Sequence, residues 1–128
     1  MDAEPHFSSI AILKIEDFLL TAPQVALHDK MAEQFKDEVL KKIEKTGSTG
    51  LIIDLSAVNI VDSFMGKVIS EMTSSATLMG TRVVVIGLNP NVAMTMVEMG
   101  LTFKGVSTAL TLEKGLNILR NFGKKDDK

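Results

Sequence analysis

The chain contains no cysteine, no tryptophan and no tyrosine, and only three prolines in 128 residues. Without cysteine there is no disulfide framework, no thiol nucleophile and no Cys-based zinc site. No apolar run approaches the ~18–20 residues that a membrane span needs. The opening stretch MDAEPHFSS is acidic and polar, lacking both parts of a signal peptide, so a cytoplasmic location is expected. Fourteen Lys and Arg against sixteen Asp and Glu leave a net charge of −2, which gives no electrostatic case for a nucleic-acid partner. Phosphate-binding signatures are missing too: neither GxxxxGK(S/T) nor GxGxxG follows a strand. His6 and His28 are the only histidines, and they read as surface residues rather than metal ligands or a catalytic pair. No cofactor or metal is expected.

What is present is a single domain's worth of apolar residues, 45% of the chain, with no linker and no repeat. Ile10–Ile15 and Phe18–Thr21, separated by Glu16-Asp17, read as a β-hairpin closed by Pro23. Leu27, Met31, Phe35, Val39 and Ile43, with Leu40 alongside, form one helical stripe, which the turn-forming run Thr46–Gly50 ends. Leu51–Leu55 and Val83–Ile86 are uniformly apolar, as in parallel strands buried on both faces. Between them a helix is predicted from Asp62-Ser63 to Met79, with Phe64, Val68, Ile69, Met72 and Ala76 inward and Gly80 as its stop. Asn89-Pro90 starts another helix, ending at Gly100, because Asn caps and Pro suits the first helical position. A short strand, Val106–Leu110, precedes a last helix capped by Thr111 and running through Phe122. The predicted fold is α/β, of order ββαβαβαβα, with a mixed sheet.

Three sets of residues invite a chemical reading. Glu16-Asp17 and Asp54 suggest the acidic cluster of a phosphoaspartate receiver, but a second strand, not a helix, follows the first. The lysine such a site needs is also missing from Gly87-Leu88-Asn89-Pro90. Glu16-Asp17 then reads as turn chemistry and Asp54 as a residue bonding to backbone in the loop after its strand, with a receiver-like phosphoaspartate at Asp54 as the alternative. The second set is Val61 to Lys67, delivered from the carboxyl end of a buried strand, where open α/β sheets place their sites. Asp62 or Ser63 caps the helix, and Gly66 one turn on leaves the surface beside Ser63 uncrowded. A phosphoryl group on Ser63 meets free N–H groups and the positive helix end, terms of about 0.3–1 kcal/mol each. The third set is the methionines: Met65 flanks Ser63, and Met94, Met96 and Met99 cannot all face one side of a helix. Some are therefore expected at an adaptable contact surface, while Met31 and Met72 fill core.

The strings LIIDLSAVNIVDSFMGKVI, LMGTRVVVIGLNPNVAMTMVEMGL and STALTLEKGLNIL resemble the STAS domain of anti-sigma-factor antagonists, and within it the RsbS-type scaffold subunits of the bacterial stressosome. The resemblance covers Ile10 to Leu119, and its specific parts are the Asp62-Ser63-Phe64 turn and the segment from Gly87 to Gly100. It implies a STAS domain over residues 9–122, with an N-terminal arm at 1–8 and a flexible tail at 123–128. It also implies a non-enzymatic cytoplasmic scaffold that associates with itself and with RsbR-type paralogues. Such a scaffold sequesters an RsbT-type serine kinase until Ser63 is phosphorylated and is reset by an RsbX-type phosphatase. Asp62, Phe64, Met65 and Gly66 would support the phosphosite turn. Asp29 would be an already negative occupant of a second site that is a threonine in the paralogues. Direct binding of an anti-sigma kinase is the alternative partner arrangement. The N-terminal arm and the GKKDDK tail depart from the family pattern, leaving their contacts open.

Overall fold

A strand buried on both faces sends alternate side chains into two different cores, and the two central strands here do so. The structure is a computed structural model that describes residues 10–24, 29–101 and 103–125, with side chains through Phe122. Its elements are β1 (Ile12–Ile15), β2 (Phe18–Thr21), α1 (Asp29–Thr46), β3 (Gly50–Asp54), α2 (Ser63–Leu78), β4 (Arg82–Ile86), α3 (Pro90–Glu98), β5 (Val106–Ala109) and α4 (Leu112–Lys125). This is the predicted order, ββαβαβαβα. The sheet runs β1-β2-β3-β4-β5, with the β1–β2 hairpin antiparallel and every later pair parallel.

Leu19, Leu51, Ile53, Val83 and Val85 pack with the apolar stripes of α1, α2 and α3. Phe18, Ile52, Val84 and Ile86 point the other way, onto Leu116 and Leu119 of α4. One face of the sheet thus carries three helices and the other a single helix. In α1 the buried positions are Ala32, Phe35, Val39 and Ile43, while Met31 and Leu40 are half-buried; Leu27 lies outside the described residues.

Element ends follow identifiable bonds. Asp62 caps α2: its Oδ1 accepts from the Met65 N–H at 2.8 Å, and the first intrahelical bond runs from the Gly66 N–H to the Asp62 carbonyl at 3.0 Å. Asn89 caps α3 in the same way, accepting from the Asn91 N–H at 2.8 Å with Pro90 at the first helical position. Thr111 Oγ1 accepts from the Lys114 N–H at 3.2 Å and starts α4. Glu16 sits at φ 55 in the two-residue hairpin turn, and its carboxylate takes a bidentate ion pair from Arg120 of α4, with Nε to Oε1 at 2.9 Å. A link between hairpin and final helix therefore spans almost the whole chain.

The boundaries differ from the sequence reading in a few places. The hairpin pairs from Ile12 rather than Ile10. Gly50, read as turn, is already in the β3 ladder opposite Arg82. Leu55 leaves the strand, its N–H donating to the Ile86 carbonyl at 3.0 Å. Helix α4 continues through Lys125 instead of stopping at Phe122. The Phe122 ring stacks on the Arg82 guanidinium, 4.1 Å from the ring centroid, which ties down the helix end that its own sequence would let fray.

Asp62→Ala removes the α2 cap and is expected to cost about 1 kcal/mol in urea unfolding, with Asp62→Asn retaining most of the stability. The Arg120 hydrogen bonds hold the Glu16 carboxyl below its ordinary range. A lowered folded pKa contributes stability above the ordinary carboxylate value and loses it as pH falls through the folded one. The stability deficit of Glu16→Gln at neutral pH should therefore shrink towards zero in acid, when unfolding midpoints are compared across pH.

Candidate functional site

Strands β2 to β5 are parallel, so their carboxyl ends share one rim, and each of the four helices begins there. Helices α1 and α2 lie side by side, joined by Lys36 of α1, whose Nζ is 3.2 Å from Glu71 of α2 and 3.0 Å from Glu33. These partners, the Glu33 bond foremost, raise the Lys36 pKa. Lys36 stands about 10 Å along its helix from Asp29, and Glu71 about 12 Å along its own from Ser63. The first turns of the two helices are thus nearly level, and exposed Asp29 and exposed Ser63 share one end of the layer.

The turn into α2 is built by division of labour. Val58 and Val61 are buried and pin the loop, Asp62 caps, and Ser63 occupies the first helical position with its side chain exposed. Its hydroxyl has no partner among the described residues. Phe64 is half-buried against the core, and Met65 is wholly buried. The flanking Met65 is therefore an anchor for the turn rather than part of a contact surface.

The expectation for Gly66 needs correcting. It is buried, and a Cβ there would come within 2.8 Å of Leu101 Cδ1 and 3.1 Å of Met99 Cε. Glycine at this position lets the segment after α3 close onto the first turn of α2; it does not leave open surface beside Ser63. Gly87 plays a comparable part across the rim. At φ +67 its missing side chain leaves room for Ser56, whose Cβ would lie 2.8 Å from an added Cβ.

The acidic groups do not converge. The β2–β3 register sets Leu19 beside Leu51 and Thr21 beside Ile53, which places the Glu16-Asp17 turn at the amino rim of the sheet and Asp54 at the carboxyl rim. Asp54 Oδ1 accepts from the Ser56 N–H at 2.9 Å, the local backbone bond expected of it. A receiver-type cluster of Glu16, Asp17 and Asp54 is thereby excluded by topology. Among the described residues no group of three His, Cys, Asp or Glu side chains could hold a metal ion, and no helix is long and apolar enough to cross a membrane. His6 and His28 lie outside the described residues. A cleft of about 290 Å³ lined by Lys14, Asp17 and Thr46–Thr49 sits at the amino rim, the end of the sheet away from Ser63.

Apolar side chains stand exposed on or near the carboxyl rim. Ile60 is 74% exposed, three residues before Ser63, and Leu110 is 77% exposed in the loop before α4. On α3, Met94 and Val97 face solvent while Met96 is buried and Met99 half-buried, so the methionine cluster divides as helical geometry requires. Ile60, Val97 and Leu110 were not singled out in the sequence. The only signal for Ile60 is its place between Val58 and Val61, which take the two inward positions.

Comparison with known proteins agrees with this geometry. The STAS domain family matches residues 9–115. The chain is 40% identical to a serine-to-glutamate variant of Moorella thermoacetica RsbS, with a TM-score of 0.81 over 90% of this chain and 97% of that one. It is also 40% identical, with a TM-score of 0.73 over 88% of this chain and 98% of that one, to a chain in a structure of the stressosome, described as a signal integration and transduction hub. The RsbT co-antagonist protein RsbRD of Bacillus subtilis is 31% identical over 109 residues, which are 84% of this chain and 39% of that protein. The chain thus spans about two fifths of the curated relatives it matches first. A five-stranded mixed sheet with four helices, a capped helix start at its carboxyl rim and these matches together assign the chain to the STAS domain family.

Proposed function

We propose that this STAS domain is a non-enzymatic, phosphorylation-switched scaffold of a cytoplasmic bacterial stress-signalling complex. In the unmodified state it holds an RsbT-type serine kinase in an assembly with RsbR-type paralogues and further copies of itself. Phosphorylation of Ser63 releases the kinase, and an RsbX-type phosphatase restores the starting state. The observation that carries this reading is that Asp62 caps α2, so the exposed Ser63 hydroxyl is spare. Esterifying it removes no bond that holds the fold.

The energetics favour tolerance by the domain and rejection by a partner. A phosphoryl group at the first helical position is met by unsatisfied backbone N–H groups and the positive dipole end, worth about 0.3–1 kcal/mol and up to ~2 when partly buried. A partner covering exposed Ile60 and the same turn would instead face a charge of about −1.5 to −2 inside an apolar contact, beside Asp62. Asp29, exposed at the level start of α1, adds a fixed negative charge to this end and would stand where the paralogues carry a phosphorylatable threonine.

Direct engagement of an anti-sigma kinase would use the same turn. Identity of 40% to two RsbS-type or stressosome chains over about nine tenths of the sequence favours the scaffold role.

Incubation with an RsbT-type kinase and ATP, followed by peptide mass spectrometry, tests the assignment. One phosphate on Ser63, stable to hydroxylamine, with Ser63→Ala unlabelled, is the expected result. A hydroxylamine-labile phosphate on Asp54, or undiminished labelling of Ser63→Ala, would overturn it.

A further inference from the structure

Helix α3 has nine residues and buries only Val92 and Met96, yet it is the element that must cover the outer part of the sheet beside β5, an edge strand. It does not fill that space. Between α2, α3 and the strands lies a half-open pocket of about 100 Å³, whose lining includes Ile69, Val85, Met96, Phe103, Val106 and Thr108. Ile69, Val85 and Met96 are buried, Phe103 and Val106 are half-buried and Thr108 is exposed, so the pocket opens to solvent on the side of the less buried residues. Apart from Thr108, every lining residue is aliphatic, aromatic or a thioether.

We infer that this cavity is a binding site for a small neutral apolar molecule, in the size range from a xenon atom to a benzene ring. A buried water is held by two to four polar partners, and one threonine hydroxyl at the mouth does not supply them. Apolar cavities on the order of 150 Å³ stay dry and take up benzene or xenon. The present pocket is somewhat smaller and open to solvent, so an occupant displaces water that its lining holds poorly, and the lining includes Met96, whose unbranched thioether adapts its shape to an occupant. The volume is below the ~300 Å³ at which drug-sized ligands begin, and no peptide segment fits it.

The site also has a mechanical neighbour. Met96 belongs to the same short segment as Met99 and Leu101, the two side chains closed onto Gly66 in the first turn of α2. An occupant that lifts α3 bears on the turn that presents Ser63. That consequence rests on the phosphoswitch reading; the binding does not.

Methyl proton–carbon spectra of the whole protein under xenon pressure, and separately during a benzene titration, test the binding without reference to phosphorylation. The expected result is a saturable set of shifts confined to the methyl groups of Ile69, Val85, Met96, Val106 and their immediate neighbours, with benzene raising the thermal midpoint by a few degrees. Val106→Phe, which projects a ring into the mouth, should abolish the shifts, and Val106→Ala, which enlarges the site, should retain them. Shifts that grow linearly without saturation, that spread evenly over the methyl groups, or that persist unchanged in a folded Val106→Phe variant would overturn the inference. If Val106→Phe does not fold, the parent and Val106→Ala spectra decide by the same criteria.

Discussion

The first four N–H groups of a helix have no carbonyl within the helix to receive them, and how α2 satisfies its own sets the terms for the rest of the molecule. Asp62 supplies an acceptor from just outside the helix, and its side chain reaches the Met65 N–H at 2.8 Å. The next residue, Ser63, is thereby released from the usual work of a serine at a helix start. It lies in the first turn of α2, where the positive end of the helix dipole favours negative charge. A hydroxyl that is exposed, structurally unemployed and electrostatically prepared for an anion is suited to reversible modification.

Rigidity around that turn comes from packing on three sides. Val58, Val61 and Met65 are sunk into the core below it, α1 is tied to α2 through Lys36 and Glu71, and Leu101 and Met99 close over Gly66. The apolar groups left outside, Ile60 above all, are then held in fixed relation to Ser63. A docked protein would meet the apolar surface and the modification together, which is how one phosphate can separate tolerance by the fold from tolerance by a partner.

Much of this was legible in the sequence where the signal is local. Uniform apolarity marked β3 and β4, Asn89-Pro90 marked the start of α3, and the 3.6-residue stripe of Phe35, Val39 and Ile43 marked α1. The Asp62-Ser63 turn was legible for the same reason, although which of the two residues caps depends on backbone geometry. What escaped was set by distant neighbours. Gly66 looks like a local concession in a helix until Leu101 is brought against it from 35 positions away. Gly50 looks like turn until its pairing with Arg82 puts it in a strand, and the Phe122 ring near the end of α4 meets Arg82 from 40 positions away. Ile60 and the cavity under α3 are mismatches of tertiary packing, and no spacing rule encodes them.

A single charge at Ser63 can change two free energies, the stability of the fold and the affinity of a partner. Measuring the equilibrium affinity of an RsbT-type kinase for unmodified and Ser63-phosphorylated protein, with thermal unfolding of the same two samples, tests it most directly. Phosphorylation should lower the affinity at least about tenfold, ~1.4 kcal/mol, with unfolding midpoints within a few degrees of each other. Equal affinities, or a fall in affinity matched by a collapse of the unfolding midpoint, would contradict it.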